Sequence, residues 1–391
     1  MTVQSSPAEA AGRPTYSRQQ LEQYFDLICL PAERRRFSLS TETNGGSTNG
    51  LSDKADDLAY LSLLMKHQVV RVPFENLTQH YSWHKIVDPR PSHLYKKIVG
   101  AASPAVPRPP TQNGDRDNSA VPIGGGRGGY CMEVNSFFHT VLLSLGFDVY
   151  LAGARVWSPT EKRYSGFSHC VNIVTISGVR YLVDVAFGGN VAIAPLPLPD
   201  FEFAEEGAGP THEHIPPARM RVVRAPISQG LSRARGHNLG WVYQIKYDYE
   251  AEKDDEDKWI TQYMFVDTEF LLEDIVVCNM FPAFNKNTFF THKVLCVRFT
   301  TDLEVGPGRD GDEGRFPGRA STKAVQEGKI DGNLMLWGDL FKWRRNGETV
   351  LERKIESDVD RLDILKKYFG IELDEEDVRG IVGTAGALGG Q

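Results

Sequence analysis

The chain has 391 residues, of which 41% are hydrophobic and 24% are charged, and its formal net charge is −7. This composition is typical of a folded globular protein, and the acidic balance argues against a nucleic-acid partner, because phosphate binding depends on clustered Lys and Arg. The five cysteines are widely spaced without a C-x-x-C pair, so we expect neither a disulfide framework nor a metal site. We read no apolar leader or membrane-length stretch, and therefore predict a cytoplasmic protein with no membrane partner.

The first part of the chain is predicted to be helical. Ser17 and Gln20 fit a capping box before a run of apolar residues at helical spacing, and Pro31 ends this run. A second helix is predicted over residues 52–68. The polar segment 39–52 between the two helices predicts an inserted loop.

A second polar segment, residues 100–123, is rich in proline and predicts a flexible surface loop. It is followed by the glycine-rich run GGGRGGYC at 124–131. Apolar residues then recur at helical spacing from 134 to 145, and Gly146 fits a C-cap. These features predict a helix that begins at about Cys131.

The rest of the chain is predicted to be rich in β-strands. The predicted strands are 148–157, 169–176, 179–187, 219–224, 241–248, 258–266, 293–300 and 334–343. The Pro-containing segment 201–217 predicts a linker in which His212 and His214 are solvated, and 301–332 predicts a long insertion without periodicity. A last helix is predicted over 358–369, and the Gly- and Ala-rich tail after 380 is expected to fray.

Cys131 is the main candidate for a reactive group. It follows a pair of glycines and begins an apolar-striped helix, whose N-terminus offers free N–H groups and a positive dipole end that favour a thiolate. The same N–H groups would hold a developing oxyanion. The alternative is that Cys131 is a small buried core residue, which is the commoner fate of a cysteine. Position alone leaves both interpretations open.

A register argument brings a histidine and an aspartate together. If residues 177–178 form a two-residue hairpin turn, Asp184 falls opposite Val171. His169 shares a face with Val171, so His169 and Asp184 are diagonal neighbours, about 7–8 Å apart by backbone and within side-chain reach. A carboxylate beside an imidazole fixes its tautomer and stabilises the imidazolium, and the imidazole can then deprotonate a thiol. The sequence alone does not bring Cys131 to this pair.

Together these motifs resemble the arylamine N-acetyltransferases. The matching residues, in the same order and at matching spacing, are R-V-P-F-E-N-L at 71–77, R-G-G-Y-C at 127–131, His169 and V-D-V-A-F-G at 183–188. The resemblance is close over about 16–190 and weaker over 219–375. Ala186 stands where the family usually has glycine. The segments 39–52, 100–123 and 301–332 are similar to the insertions of fungal members.

The resemblance implies an α+β fold on a papain-like cysteine-triad scaffold. It implies a helical N-terminal domain over 16–99, a catalytic helix with a β-rich domain over 124–200, and an α/β lid domain over 218–376 with an insertion at about 301–332. It also implies a triad in which Cys131 is the nucleophile, His169 the base and Asp184 its orienting partner.

The activity that the resemblance implies is acyl transfer from acyl-coenzyme A, through a Cys131 thioester, to the nitrogen of an arylamine or hydrazine, as in xenobiotic detoxification. Phe74 and Phe187 resemble an aromatic wall for the aryl ring, and ordinary core packing is the alternative for Phe74. Ser165 and Gly166 match a pair that contacts coenzyme A, although a Ser-Gly pair is usually just a turn. No permanently bound cofactor is expected, and acetyl-, propionyl- or malonyl-coenzyme A would be the co-substrate.

Two other functions stay open from the sequence. A papain- or transglutaminase-like cysteine hydrolase would use the same triad on amide substrates. A catalytically silent binding protein would keep the fold, although the intact triad argues against it. Near the cysteine, we predict that Arg127 and Glu75 form a structural ion pair.

Overall fold

The structure, a computed structural model, describes residues 12–39, 50–100, 125–199, 207–232, 239–247, 259–305 and 319–389. The loop predicted over 100–123 lies outside these residues, apart from its first residue, and the one over 39–52 lies mostly outside them. Within the described part of the chain, no helix is long and apolar enough to cross a membrane. The fold is α+β, with the helices α1 to α9 and the strands β1 to β13 named below in chain order.

The helices include those predicted from the sequence and several that the sequence did not indicate. They are α1 Arg18–Leu27, α2 Gly50–Arg71, α3 Leu77–His80, α4 Pro91–Ile98, α5 Cys131–Leu145, α6 Leu272–Phe284, α7 Thr322–Glu327, α8 Asp358–Phe369 and α9 Glu375–Arg379. The capping box of α1 is confirmed, because the Gln20 N–H donates to Ser17 Oγ at 3.3 Å and the Ser17 N–H donates to Gln20 Oε1 at 2.9 Å. Gly146 and Gly370 end α5 and α8 in the left-handed conformation that glycine tolerates best.

The strands form two antiparallel sheets. They are β1 Phe74–Glu75, β2 Asp148–Ser158, β3 Arg163–Ile176, β4 Val179–Val183, β5 Leu196–Pro197, β6 Thr211–Glu213, β7 Ala218–Pro226, β8 Leu239–Tyr247, β9 Ile260–Phe270, β10 Leu295–Thr301, β11 Ile330–Trp337, β12 Leu340–Arg345 and β13 Glu348–Lys354. The larger sheet has the order β5-β4-β3-β2-β9-β8-β7-β6, and the smaller one β1-β10-β11-β12-β13. The short β1 thus attaches the segment after α2 to the C-terminal sheet.

Helix α5 lies in the main core, where it packs against β2 and β3. The predicted apolar stripe is buried, and so are most side chains on the other faces of the helix, including polar ones. Because the helix cannot shift in such a core, its first residue, Cys131, has a defined position relative to the sheet.

The β3–β4 hairpin confirms the predicted turn and register. Ser177 and Gly178 have φ of 48° and 78°, as a tight two-residue turn requires. The pairing runs from Ile176↔Val179 to Asn172↔Val183. The strand predicted to continue to 187 ends at Val183, however. The next N–H groups donate to side chains instead of to a strand, that of Val185 to Asn135 and that of Ala186 to Asp184.

Two predictions for the segments between residues 301 and 343 were wrong. The single strand over 334–343 is two strands, because the chain turns at Gly338, where φ is 63°. The described end of the 301–332 insertion is structured, with helix α7, the start of β11, and a buried Arg319 that donates to the carbonyls of Arg71 and Phe369. A helix of six residues is too short to show periodicity.

The tail after 380 is packed rather than frayed over its described residues. Ile381 is buried in the C-terminal cluster. The Gly386 carbonyl accepts a hydrogen bond of 2.9 Å from Arg361, which is fully buried and therefore needs such acceptors. The linker predicted over 201–217 likewise contains β6. The division into three domains stays a prediction.

Candidate active site

Cys131, His169 and Asp184 lie together at the junction of α5 and the larger sheet. His169 Nε2 is 2.8 Å from Asp184 Oδ2, and both residues are buried. Cys131 faces the same cavity as His169, and its Sγ donates to the Ser168 carbonyl oxygen at 3.8 Å. The helix start, the strand and the hairpin thus bring the three predicted residues into one constellation.

The electrostatics favour a protonated imidazole. Burial lowers the pKa of His169, but the charge and hydrogen bond of Asp184 and the hydrogen bond and charge of Cys131 outweigh it, and the pKa is raised to about 10. Burial raises the pKa of Asp184, yet the His169 charge and the hydrogen bonds from His169, Asn135 and Ala186 hold it below its ordinary value. Asp184 therefore stays ionised and stabilises an imidazolium beside Cys131.

Asp184 is held by more donors than the sequence indicated. Its Oδ2 accepts from His169 and, at 2.9 Å, from the Tyr263 hydroxyl. Its Oδ1 accepts at 2.9 Å from Asn135 Nδ2 and at 2.9 Å from the Ala186 N–H. Asn135 stands four residues after Cys131 on an apolar helix, so a buried amide was a readable signal there. Tyr263 is 79 residues from Asp184 in the chain, and nothing in the sequence indicated that the two residues are in contact.

Aromatic rings surround the histidine and the cavity beyond it. The centroid of Phe187 lies 5.0 Å from that of His169, and the centroid of Tyr263 lies 4.8 Å from it. Phe74 lines the same cavity and contacts Phe290 edge to face at 6.3 Å. Both predicted aromatic residues are therefore beside the cysteine, with apolar faces that suit a flat ring.

The loop before Cys131 is held by buried charges. Arg127 Nε lies 3.1 Å from Glu75 Oε1, which confirms the predicted ion pair, and the Gly128 N–H donates to the same oxygen at 3.2 Å. Lys97 Nζ lies 2.6 Å from Glu133 Oε1. Burial alone would raise the pKa of Glu75. The positive charges of Arg127 and Lys97 outweigh this effect and lower the pKa to about 2. The carboxylate thus stays charged and keeps the loop in place.

Ser165 and Gly166 lie near the cavity but differ in what they offer a ligand. Ser165 lines the cavity, and its Oγ accepts from the Val156 N–H at 3.0 Å and lies 2.7 Å from Ser168 Oγ. Gly166 is exposed, with open space where a Cβ would stand. The hydroxyl is therefore engaged within the strand, and a coenzyme A contact at this pair stays a prediction.

The cavity next to Cys131 has a volume of about 590 Å³. Its walls come from Cys131 and His169, the segments 187–190, 214–217, 281–282 and 287–290, and one face of the smaller sheet. This volume suits a small-molecule site.

His214 is buried at the edge of the cavity, with Nε2 2.9 Å from the Val191 carbonyl oxygen, so the prediction that it is solvated was wrong. The pairing of β6 with β7 brings it there. Among the described residues, no group of three or more potential ligands is placed to hold a metal ion.

Comparisons with known proteins agree with this geometry. The N-acetyltransferase family model matches residues 119–213. N-malonyltransferase FDB2 of Fusarium pseudograminearum is 29% identical over 94% of this chain and 93% of its own. Arylamine N-acetyltransferase 1 of Homo sapiens is 32% identical over 34% of this chain and 37% of its own.

Solved structures show the same architecture. The arylamine N-acetyltransferase from Mycobacterium abscessus aligns with a TM-score of 0.61 at 20% identity, covering 93% of each chain. The Mycobacterium marinum enzyme in complex with CoA aligns with a TM-score of 0.57 at 22% identity, covering 94% of this chain and 96% of its own. At these identities the similarity establishes the fold.

The fold and the buried cysteine, histidine and aspartate define a papain-like scaffold of the N-acyltransferase type. The chain is thus similar to the arylamine N-acetyltransferases in fold over most of its length, and in sequence over residues 119–213 it matches the N-acetyltransferase family model.

Proposed function

We propose that the protein transfers an acyl group from acyl-coenzyme A, through a thioester at Cys131, to the nitrogen of an arylamine or hydrazine. The observation that carries this proposal is the buried Cys131–His169–Asp184 constellation at the wall of a large, mostly apolar cavity. The proposal includes a role in the detoxification of foreign amines. It also includes the cytoplasm as the site of action, where the thiol would stay reduced and acyl-coenzyme A is available.

In the first half-reaction, the Cys131 thiolate attacks the acyl carbon of the donor while His169 carries the proton taken from the thiol. A new carbon–sulfur bond forms at Cys131, the carbon–sulfur bond to coenzyme A breaks, and the leaving thiolate takes the proton from the imidazolium. The N–H groups at the start of α5 would stabilise the oxygen that becomes negative in this step.

In the second half-reaction, the amine nitrogen attacks the thioester carbon. His169 accepts the proton that the amine loses and returns it to the Cys131 sulfur as the new amide is released. The ring of Phe187, which packs against His169, supports a flat aryl group next to the thioester. One thiol and one imidazole thus serve both halves.

A cysteine hydrolase on amide substrates would use the same three residues. The aromatic lining of the cavity favours an aryl acceptor over a water molecule or an extended peptide. The relatives that this chain matches over most of its length also carry transferase names.

Among acyl donors, we favour malonyl-coenzyme A. The relative from Fusarium pseudograminearum that covers 94% of the chain is named an N-malonyltransferase. A panel of acetyl-, propionyl- and malonyl-coenzyme A, compared by kcat/KM with one arylamine, tests this choice. Equal or higher values for acetyl-coenzyme A would contradict it.

The test of the function as a whole is mass spectrometry of the intact protein after incubation with each donor and no amine. We expect the mass of one acyl group to be added, and to disappear when an arylamine is supplied. Cys131→Ser should carry no stable adduct, because a neutral hydroxyl is a much poorer nucleophile. Cleavage of a peptide substrate without an acyl adduct would favour the hydrolase.

A further inference from the structure

One wall of the cavity is the face of the smaller sheet. Alternate residues of a strand point to the same face, and on β11 these are Asn333, Met335 and Trp337, which all line the cavity. The neighbouring β12 contributes Arg344. The wall therefore continues from apolar side chains to a polar corner.

The polar corner is a cross-strand pair. Asn333 and Arg344 are directly opposite each other in the register of β11 and β12. Side chains of such a pair share a face, with Cβ atoms about 4.5–5.5 Å apart. An amide and a guanidinium are therefore neighbours on the wall of the cavity.

Arg344 brings to the cavity a positive charge that has no ion-pair partner among the described residues. It is the one Lys or Arg among the described residues that line the cavity, and those residues include no Asp or Glu. Two neighbouring cations on the strand are paired, Lys342 with Glu352 at 3.1 Å and Arg345 with Asp331. Within the described part of the chain, the side chains of Arg344 and Asn333 have no hydrogen-bonding partner.

The polar corner lies next to the turn Gly188–Asn190, which follows the β3–β4 hairpin. A Cβ on Gly189 would lie 3.3 Å from Asn333 Nδ2, so the absence of a side chain there leaves room for the amide. Gly189 stands two residues after Phe187, whose ring contacts His169. A ligand that reaches from the cysteine along this turn therefore meets both donors.

We propose that Arg344 and Asn333 bind an anionic group of the acyl-coenzyme A donor. The inference rests on the proposed function, since it names how that site selects its donor. A guanidinium and an amide are donors that match the oxygens of a carboxylate or a phosphate. The anion is either the free carboxylate of a malonyl group or a phosphate of coenzyme A, and both are recognised by the same chemistry.

The test compares four donors in the first half-reaction: malonyl-coenzyme A, acetyl-coenzyme A, 3′-dephospho-acetyl-coenzyme A and the uncharged ester p-nitrophenyl acetate. For each variant, kcat/KM of every coenzyme A donor is divided by that of the uncharged ester. We expect Arg344→Met to lower this ratio roughly 10-fold for the donors whose anion it binds. Asn333→Asp should lower it as well, because a carboxylate there repels the anion.

Lys342→Met is the matched control, because Lys342 lies on the same strand and face but is paired with Glu352 and does not line the cavity. Its ratio should equal that of the wild type. Arg344→Lys, which keeps the charge, should recover part of the loss. Thermal melting of each variant shows whether it is folded, and Arg344 is exposed, so its replacement should leave the melting temperature unchanged.

Each outcome has one meaning. A loss for malonyl-coenzyme A alone assigns the site to the carboxylate, a loss that spares the dephospho donor assigns it to the 3′-phosphate, and a loss for all three assigns it to the diphosphate. No selective loss relative to the ester, or an equal loss in Lys342→Met, overturns the inference. If the wild type forms no acyl adduct at Cys131 with any of these donors, the proposed function itself has failed.

Discussion

Asp184→Asn is the substitution with the most specific expected effect, because the carboxylate has a donor on every side. Oδ2 accepts from His169 and Tyr263, and Oδ1 accepts from Asn135 and the Ala186 N–H. An amide replaces one of these oxygens with an NH2 group, which must then face donors in either orientation.

Two consequences follow for the variant. If the NH2 group faces His169, it donates to Nε2 and favours the tautomer whose other nitrogen carries the proton, so the imidazole cannot accept the proton of Cys131. If it faces Asn135 instead, two buried donors lose their acceptor, at a cost of about 1–3 kcal/mol each. We expect kcat for acyl transfer to fall about 10³–10⁴-fold, by analogy with the same substitution in serine-protease triads.

The assay is the burst of free coenzyme A on mixing enzyme with donor, followed under single-turnover conditions. Asp267→Asn is the control, because Asp267 pairs with Arg180 at the surface, away from the triad. Near-normal acylation by Asp184→Asn, with a rate within about threefold of wild type, would refute the assignment of Asp184 as the partner of His169.

Three further predictions concern the cysteine, the imidazolium and the aromatic wall. Iodoacetamide should label Cys131 faster than the other four cysteines, and peptide mapping that finds equal labelling would remove the nucleophile assignment. Because the pKa of His169 is raised to about 10 from an ordinary 6.5, its pairing stabilises the fold fully below pH 6.5 and is lost as the pH rises towards 10. The free energy of unfolding, measured with urea, should therefore fall across that interval in the wild type, and His169→Gln should lack this component. Phe187→Ala should reduce arylamine turnover more than the coenzyme A burst, whereas an equal reduction of both would argue against an aryl contact.

The proximity of His169 to Asp184 and the position of Cys131 at a helix start could be predicted from the sequence because each depends on local rules, whereas the approach of Cys131 to the pair could not. The two-residue turn at 177–178 sets the register of β3 and β4, and a register with a period of two residues places His169 and Asp184 on one face. The glycines before Cys131 and the apolar stripe after it predicted where α5 begins. Such features depend on neighbours in the chain, so the sequence displays them directly.

The positions of other residues were decided only by the tertiary structure. Tyr263 reaches Asp184 because β9 pairs with β2 in the larger sheet. The order of strands in a sheet cannot be predicted from the sequence of any single strand. The sequence places Arg319 in a charged insertion, yet its side chain is buried and donates to the carbonyls of Phe369 and Arg71 in two distant helices.

Asn333 and Arg344 show the same limit at the wall of the cavity that the smaller sheet forms. The predicted strand 334–343 passed over the turn at Gly338, and without that turn the two residues are not opposite each other. Whether their face lies across the cavity from Cys131 and His169 depends on the pairing of β1 with β10, which joins segments far apart in the chain. Long-range pairing is chosen by the packing of whole surfaces, so the position of Cys131 at a helix start could be predicted from the sequence while the shape of its cavity could not.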